Sequence, residues 1–220
     1  MLIIKKLILV TTPIGNTQDI TLRALECLKN AQSIIAEDTR EIKKLLTLLG
    51  VSGPKKFYTF NDHKEDFNWQ MIEHEEALFV SDAGSPIVSD PAYPLILSAK
   101  KNNIIIDNCS GISALIAALE LSQLPPIPFL FHGFLQREKG KKKTQIQKLK
   151  LIKGSHFFFE APHRIKETLS LLKEEIPLSD VFVGRELTKA FQTLYHFKAS
   201  EAQNIIDDTF IDKGEMVVGF

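Results

Sequence analysis

Five short apolar runs in the first half of the chain, each ending at a polar loop and alternating with helical periodicity, restrict it to a parallel α/β sheet. The runs are Leu7–Val10, Ser33–Ala36, Phe57–Phe60, Ala77–Ser81 and Ile104–Asp107. Between them, Ile20, Ala24, Leu25 and Leu28 recur on one helical face. Ile42, Leu45, Leu46 and Leu49 do the same before a stop at Gly50. Asp90-Pro91 opens another helix, because Asp caps free N–H groups and Pro tolerates the first helical position. Ser113–Leu121 gives one more. Strands alternating with helices bury both faces of a sheet. Ligands of such sheets bind beyond the carboxyl ends of the strands, so the loops there are where chemistry belongs.

Leu124-Pro125-Pro126-Ile127-Pro128 reads as a stiff extended link and sets the predicted boundary between domains 1–123 and 124–220. Beyond it lie Phe129–Phe131, a Lys-rich helix, the strand Ser155–Glu160 and a helix from about Arg164. Asp180–Gly184, Thr193–Phe197 and Met216–Phe220 follow as strands, which predicts a second, α+β domain.

Several chemistries are excluded motif by motif. None of the 11 glycines forms a G-x-G, so the usual dinucleotide fingerprint is absent, and no P-loop exists. Gly111-Ile112-Ser113-Ala114-Leu115 lacks the second glycine of a nucleophile elbow. The histidines form no H-E-x-x-H, and Cys27 and Cys109 have no metal-ligand spacing, so no metal is expected. The apolar run Leu7–Val10 is too short for a signal peptide or membrane span, which predicts a cytoplasmic protein.

Four loops carry the chemical signal: Thr12-Pro13-Ile14-Gly15-Asn16, Glu37-Asp38-Thr39-Arg40, Asn61-Asp62-His63-Lys64-Glu65 and Ser81-Asp82-Ala83-Gly84-Ser85-Pro86. Glycine lets backbone approach a ligand, and carboxylates suit a sulfonium or a ribose hydroxyl. Taken singly, each loop is equally a turn or a capped helix with a surface ion pair. Four at one sheet edge favour a site.

This set resembles the tetrapyrrole-methylase superfamily, and within it the branch that methylates ribosomal RNA. The matching stretches are residues 12–16, 36–40, 62–65 and 81–86, then His-Gly-Phe-Leu at 132–135 and Phe-Glu-Ala-Pro-His-Arg at 159–164. Gly-Arg-Glu-Leu-Thr-Lys at 184–189 and Lys-Gly-Glu-Met-Val at 213–217 complete them. The resemblance implies two α/β domains with S-adenosylmethionine in the cleft between them, and a homodimer. It also implies 2′-O-methylation of a cytidine ribose in 16S ribosomal RNA of the small subunit. Carried onto this chain, the cofactor contacts are Pro13, Asp82, Ala83, Gly84, Gly111, Ile112, Ser113, Gly214, Glu215 and Met216. Where the family has Pro-Gly-Pro after the fifth strand, this chain has Ser110-Gly111-Ile112, which predicts a less rigid loop.

A ribose hydroxyl needs alignment and a proton acceptor. Asp38, Arg40, His63, Glu65, Glu186 and Lys189 are the catalytic candidates, with Arg40 suited to a phosphate beside the target ribose. From Arg137 to Lys153 the chain carries eight basic residues against one acid, within zero net charge overall. Arg137, Lys139, Lys141, Lys142 and Lys143 are therefore candidate RNA contacts, against the plainer reading of a solvated helix face. Two functional alternatives stand beside the RNA enzyme: a small-molecule or tetrapyrrole methyltransferase of the same fold, and a cofactor-binding RNA-associated protein without catalysis.

Overall fold

The computed structural model describes residues 2–60, 66–88, 92–208 and 210–220, and divides into two compact units, Met1–Ser113 and Ala114–Phe220. In the first, β1 (Lys6–Val10), β2 (Ser33–Ala36), β3 (Lys56–Thr59), β4 (Glu76–Val80) and β5 (Ile105–Cys109) form one sheet in the order β3-β2-β4-β1-β5. Every pairing in it is parallel. The strand residues alternate between two cores because successive side chains leave opposite faces. Leu7, Ile35 and Phe79 pack on one face with Trp69, Leu95 and Ala99. Ile8, Ile34 and Leu78 pack on the other with Ala24, Leu28, Ile42 and Leu46. The latter four come from α1 (Leu22–Asn30) and α2 (Thr39–Leu48), so the helical stripe seen in the sequence is the stripe that is buried. Leu95 and Ala99 belong to α3 (Ala92–Lys101), whose start at Asp90-Pro91 lies outside the described residues.

The second unit begins with α4 (Ala114–Leu121), ten residues earlier than the proline-based boundary at 123/124. The helix buries its small residues Ala117 and Ala118 and packs on β10 (Met216–Gly219). Nor do the prolines form a free link. The Pro128 carbonyl accepts from Ser155 N at 3.0 Å, and the Pro125 carbonyl from Ser155 Oγ at 2.7 Å, so the segment is bound into this unit. Its sheet runs β6 (Phe129–Phe134), β7 (Ser155–Glu160), β10, β8 (Asp180–Arg185), β9 (Thr193–Lys198). β6 and β7 are parallel, and the other pairings are antiparallel. Helices α5 (Lys139–Leu149), α6 (Ile165–Glu175) and α7 (Ala202–Asp208) supply Ile146, Leu169, Leu172 and Ala202 to one core with Phe158 and Val218. Among the described residues no helix is long and apolar enough to cross a membrane.

On the neighbouring strands β6 and β7, His132 Nε2 and His156 Nδ1 share a hydrogen bond at 2.9 Å, and the His156 ring stacks on Phe220. His156 Nε2 donates to the Ile152 carbonyl at 3.0 Å, so its Nδ1 accepts and His132 Nε2 donates. Burial, with the charge of His156 second, lowers the His132 pKa below its ordinary 6.5. A depressed imidazole pKa means the unfolded chain binds the proton more readily. Stability from neutral, buried His132 is therefore complete above about pH 6.5 and lost as pH falls through its lower folded value. Thermal melts from about pH 8 to about pH 5 should fall less steeply in His132→Leu than in wild type. Parallel profiles would remove the histidine pair from this role.

Candidate active site

In the first unit, three motif loops meet at the carboxyl edge of the sheet because β4, β1 and β5 are neighbours. Thr12 and Gly84 bridge the first two: Thr12 N donates to the Gly84 carbonyl at 3.0 Å, and Gly84 N returns a bond to Thr12 O at 3.1 Å. Ser81 Oγ donates to the same Gly84 carbonyl at 2.9 Å. Gly84 has φ +75°, and a Cβ there would stand 3.1 Å from Ile14 Cγ2. The residue type is thus required twice, by backbone angle and by space. On the other side, Thr11 N donates to the Cys109 carbonyl at 3.0 Å, and a Cβ on Gly111 would lie 3.1 Å from Thr11 Cγ2. Thr21 Oγ1 reaches the Ser110 carbonyl at 3.4 Å, tying α1 to the same loop. Pro13, Asp82–Gly84 and Gly111–Ser113 are therefore spatial neighbours. Of the framing threonines, Thr12 belongs to the motif loop read from sequence, whereas Thr11 and Thr21 were not singled out.

Asp38 and Arg40 stand at the end of β2, beside β4. Asp38 Oδ1 caps α2 by accepting from Arg40 N at 2.8 Å, and the Arg40 guanidinium bonds the carboxylate at 2.6 Å. The side-chain hydrogen bond from Arg40 is the main reason the Asp38 pKa falls to about 2. So weak a base is ill matched to accepting a proton at neutral pH. Asp82 behaves oppositely. Neighbouring atoms crowd its carboxyl although one side opens to solvent, and this burial raises its pKa, with repulsion from Asp38 and Glu41 adding to the effect. His63 and Glu65 lie outside the described residues.

In the second unit, Glu186, Lys189, Gly214, Glu215 and Met216 form one cluster. Met216 opens β10 and pairs with Arg185, the last residue of β8. Lys189 Nζ donates to Glu186 Oε1 at 2.9 Å and to Glu215 Oε2 at 2.8 Å. Glu215 N donates to Glu186 Oε1 at 2.8 Å, and Glu186 N to the Glu215 carbonyl at 2.9 Å. Gly214, at φ +86°, leaves room for the Glu186 side chain: a Cβ would fall 2.6 Å from Glu186 Cγ. Burial opposes charge on both partners, yet hydrogen bonding holds the Glu186 pKa down and the Lys189 pKa up. Lys189 is a fixed cation here, not a base. Arg185 braces the cluster, with Nε donating to the Lys213 carbonyl at 2.6 Å and Nη1 to that of Phe191 at 2.8 Å. Among the described residues no group of three or more His, Cys, Asp or Glu side chains is placed to hold a metal.

The basic segment needs one correction. Lys142 is 0% exposed. Its Nζ donates to Glu167 Oε1 and Thr168 Oγ1, both at 2.9 Å, and lies 3.7 Å from Glu160. A cation enclosed by its own carboxylates cannot meet a phosphate. Lys143 pairs with Glu174 and Glu175 across to α6, and Lys141 with Glu138 at 2.8 Å. Arg137 and Lys139 stay exposed.

Comparison with known proteins gives the family. The family model for tetrapyrrole (corrin/porphyrin) methylases matches residues 6–203. The chain is 37% identical over 214 residues to ribosomal RNA small subunit methyltransferase I of Halalkalibacterium halodurans, covering 95% of this chain and 73% of that protein. To the protein of the same name from Thermotoga maritima it is 39% identical over 202 residues, 90% of each chain. Among solved structures, diphthine synthase superposes with a TM-score of 0.71 at 15% identity, covering 96% of this chain and 88% of that one. A uroporphyrin-III C-methyltransferase from Thermus thermophilus, complexed with S-adenosylhomocysteine, gives 0.64 at 13%, covering 97% and 96%. By matched length and by identity, the chain belongs to the tetrapyrrole methylase family, and within it to the group of ribosomal RNA small subunit methyltransferase I.

Proposed function

We propose that this methyltransferase moves a methyl group from S-adenosylmethionine to the 2′-hydroxyl of a cytidine ribose in 16S ribosomal RNA, in the cytoplasm and as a homodimer. The carrying observation is the identity of 37–39% to enzymes of that name across at least 90% of this chain. The loop geometry supports cofactor binding. Gly84 and Gly111 hold the loops of β4 and β5 close to that of β1, and Asp82 and Ala83 stay exposed at their edge. Pro13, Asp82–Gly84 and Gly111–Ser113 would hold the cofactor from the first unit, and Gly214–Met216 from the second. The bound cofactor supplies a methyl already activated by its sulfonium.

What remains for the protein is to place a hydroxyl oxygen and accept its proton, and orientation alone supplies roughly 7–11 kcal/mol in favourable cases. Lys189 and Arg40, both permanently charged, suit the holding of RNA phosphate or of developing negative charge on the ribose oxygen. Asp82 is the better proton acceptor of the two carboxylates near β4, because its pKa is raised while that of Asp38 is held low.

Tritium transfer from labelled cofactor to small ribosomal subunits tests this reading. Wild type should label 16S RNA in the presence of chelator. Lys189→Ala should lower turnover about tenfold, a loss of about 1.4 kcal/mol in transition-state stabilisation, with the cofactor dissociation constant within about threefold. Background counts from wild type would remove the RNA from the proposal. Parallel loss of cofactor affinity in Lys189→Ala would make that residue a bracket for Glu215 instead.

A further inference from the structure

Within the second unit, a groove of about 970 Å³ is lined by Phe134, Arg137, Lys141, His163 and Arg164, among others. None of its lining residues is among those the family resemblance assigns to the cofactor. A second hollow of about 710 Å³ shares Gln136, Glu138 and Lys141 with it and runs along α5 to Lys148. Glu138 is the one acid lining either, and Lys141 pairs with it at 2.8 Å. Arg137 and Lys148 are exposed and have no ion-pair partner among the described residues. The path is therefore cationic along its length.

Its other property is aromatic. Phe134, the last residue of β6, is 52% exposed and is propped edge-on by Phe159 with ring centroids 5.7 Å apart. A phenyl ring left this open costs apolar exposure unless something covers it. The floor is rigid. Arg164 Nη2 donates to the carbonyls of Leu135 at 2.7 Å and Gln136 at 2.9 Å, fastening the chain after β6 to the start of α6. Glu160 Oε1 accepts from Ala161 N at 2.9 Å and fixes the turn from the β7 side.

An open aromatic face beside a track of free cations is the arrangement that holds single-stranded nucleic acid, by stacking a base while phosphates follow the charge. Resting on the functional reading above, we propose that this groove grips an unpaired stretch of the RNA substrate, with Phe134 stacking one base and Arg137 and Lys148 contacting phosphates. The sequence hides this arrangement, because no aromatic residue interrupts the basic segment itself. Phe134 comes from the preceding strand.

Fluorescence anisotropy with the full chain and a labelled unpaired RNA of about eight nucleotides tests the proposal. Phe134→Leu should weaken binding about tenfold with its salt dependence unchanged, and Phe134→Tyr should bind as wild type does. Arg137→Ala and Lys148→Ala should each flatten the plot of log affinity against log salt by about 0.7. Thermal melts should stay at the wild-type value in all four, since each side chain is exposed. Equal affinity for a fully paired duplex, or for polyglutamate, would overturn the proposal in favour of a general polyanion surface. So would displacement of the RNA by S-adenosylhomocysteine with matching loss of cofactor affinity in Phe134→Leu, which would give the groove to the cofactor. Wild type that methylates subunits while Phe134→Leu keeps full kcat/KM would sink the groove and leave the functional reading standing.

Discussion

Lys142→Ala is expected to cost about 3–5 kcal/mol of stability, the range seen when one partner of a buried ion pair is removed. The lysine satisfies Glu167 and Thr168 directly, and it faces Glu160, whose side chain is fully enclosed. Without it, Glu160 keeps Arg164 at 3.1 Å and Thr168 at 2.5 Å, but the cluster loses a charge it cannot replace with water. The aliphatic stem also leaves a void among α5, α6 and β7. Urea unfolding checks the size of the loss, and Lys142→Met should recover part of it by refilling the void left by the aliphatic stem. RNA binding by the folded fraction should keep its full salt dependence. A variant that melts within about 1 kcal/mol of wild type and loses salt dependence would return Lys142 to the RNA-facing surface.

Gly84→Val should weaken S-adenosylmethionine about 10- to 100-fold. A β-branched residue at φ +75° is strained by roughly 1–3 kcal/mol. Its Cβ would also press on Ile14 Cγ2, so the loop relaxes away from the Thr12 bridge. Apparent affinity falls by the fraction of molecules that leave the competent loop conformation. Gly53 is the control, with φ +106° and nothing within 4 Å of where a Cβ would stand. Gly53→Val carries comparable strain away from the loops and should destabilise without touching the cofactor. Calorimetry on both variants decides it: equal losses, or no loss in Gly84→Val, would detach the Thr12–Gly84 bridge from cofactor binding.

What the sequence disclosed, and what it did not, follows the distance over which each feature is encoded. Strands such as Leu7–Val10 and Ser33–Ala36 were readable as short apolar runs because both faces of their sheet are buried, and α1 and α2 because their stripes recur locally. The loops at Pro13 and Asp82–Gly84 were readable as motifs. Their contact through Thr12 depends on β1 lying next to β4, which only the sheet order supplies. The domain limit was displaced because prolines signal stiffness without saying what the segment docks against, and α4 owes its allegiance to β10, about a hundred residues on. Lys142 was misplaced for the same reason. A run of lysines reports charge, whereas the burial of one of them is decided by Glu160 and Glu167 on other elements. Cys27 and Cys109, distant in sequence, place their sulfurs 3.0 Å apart. The seven-residue α7 was too short to leave a periodic trace.

The position of β10 between β7 and β8 sets an order of events during synthesis. The first unit's strands follow one another with helices between, so that sheet can close while the ribosome is still translating. The second cannot. Until about residue 219 has left the exit tunnel, β7 and β8 each lack an inner neighbour, and two unpaired edges rich in Phe and Val face solvent. Nascent chains stalled shortly before Met216 should therefore hold a finished first unit and a second one that recruits chaperones, as exposed strand edges do.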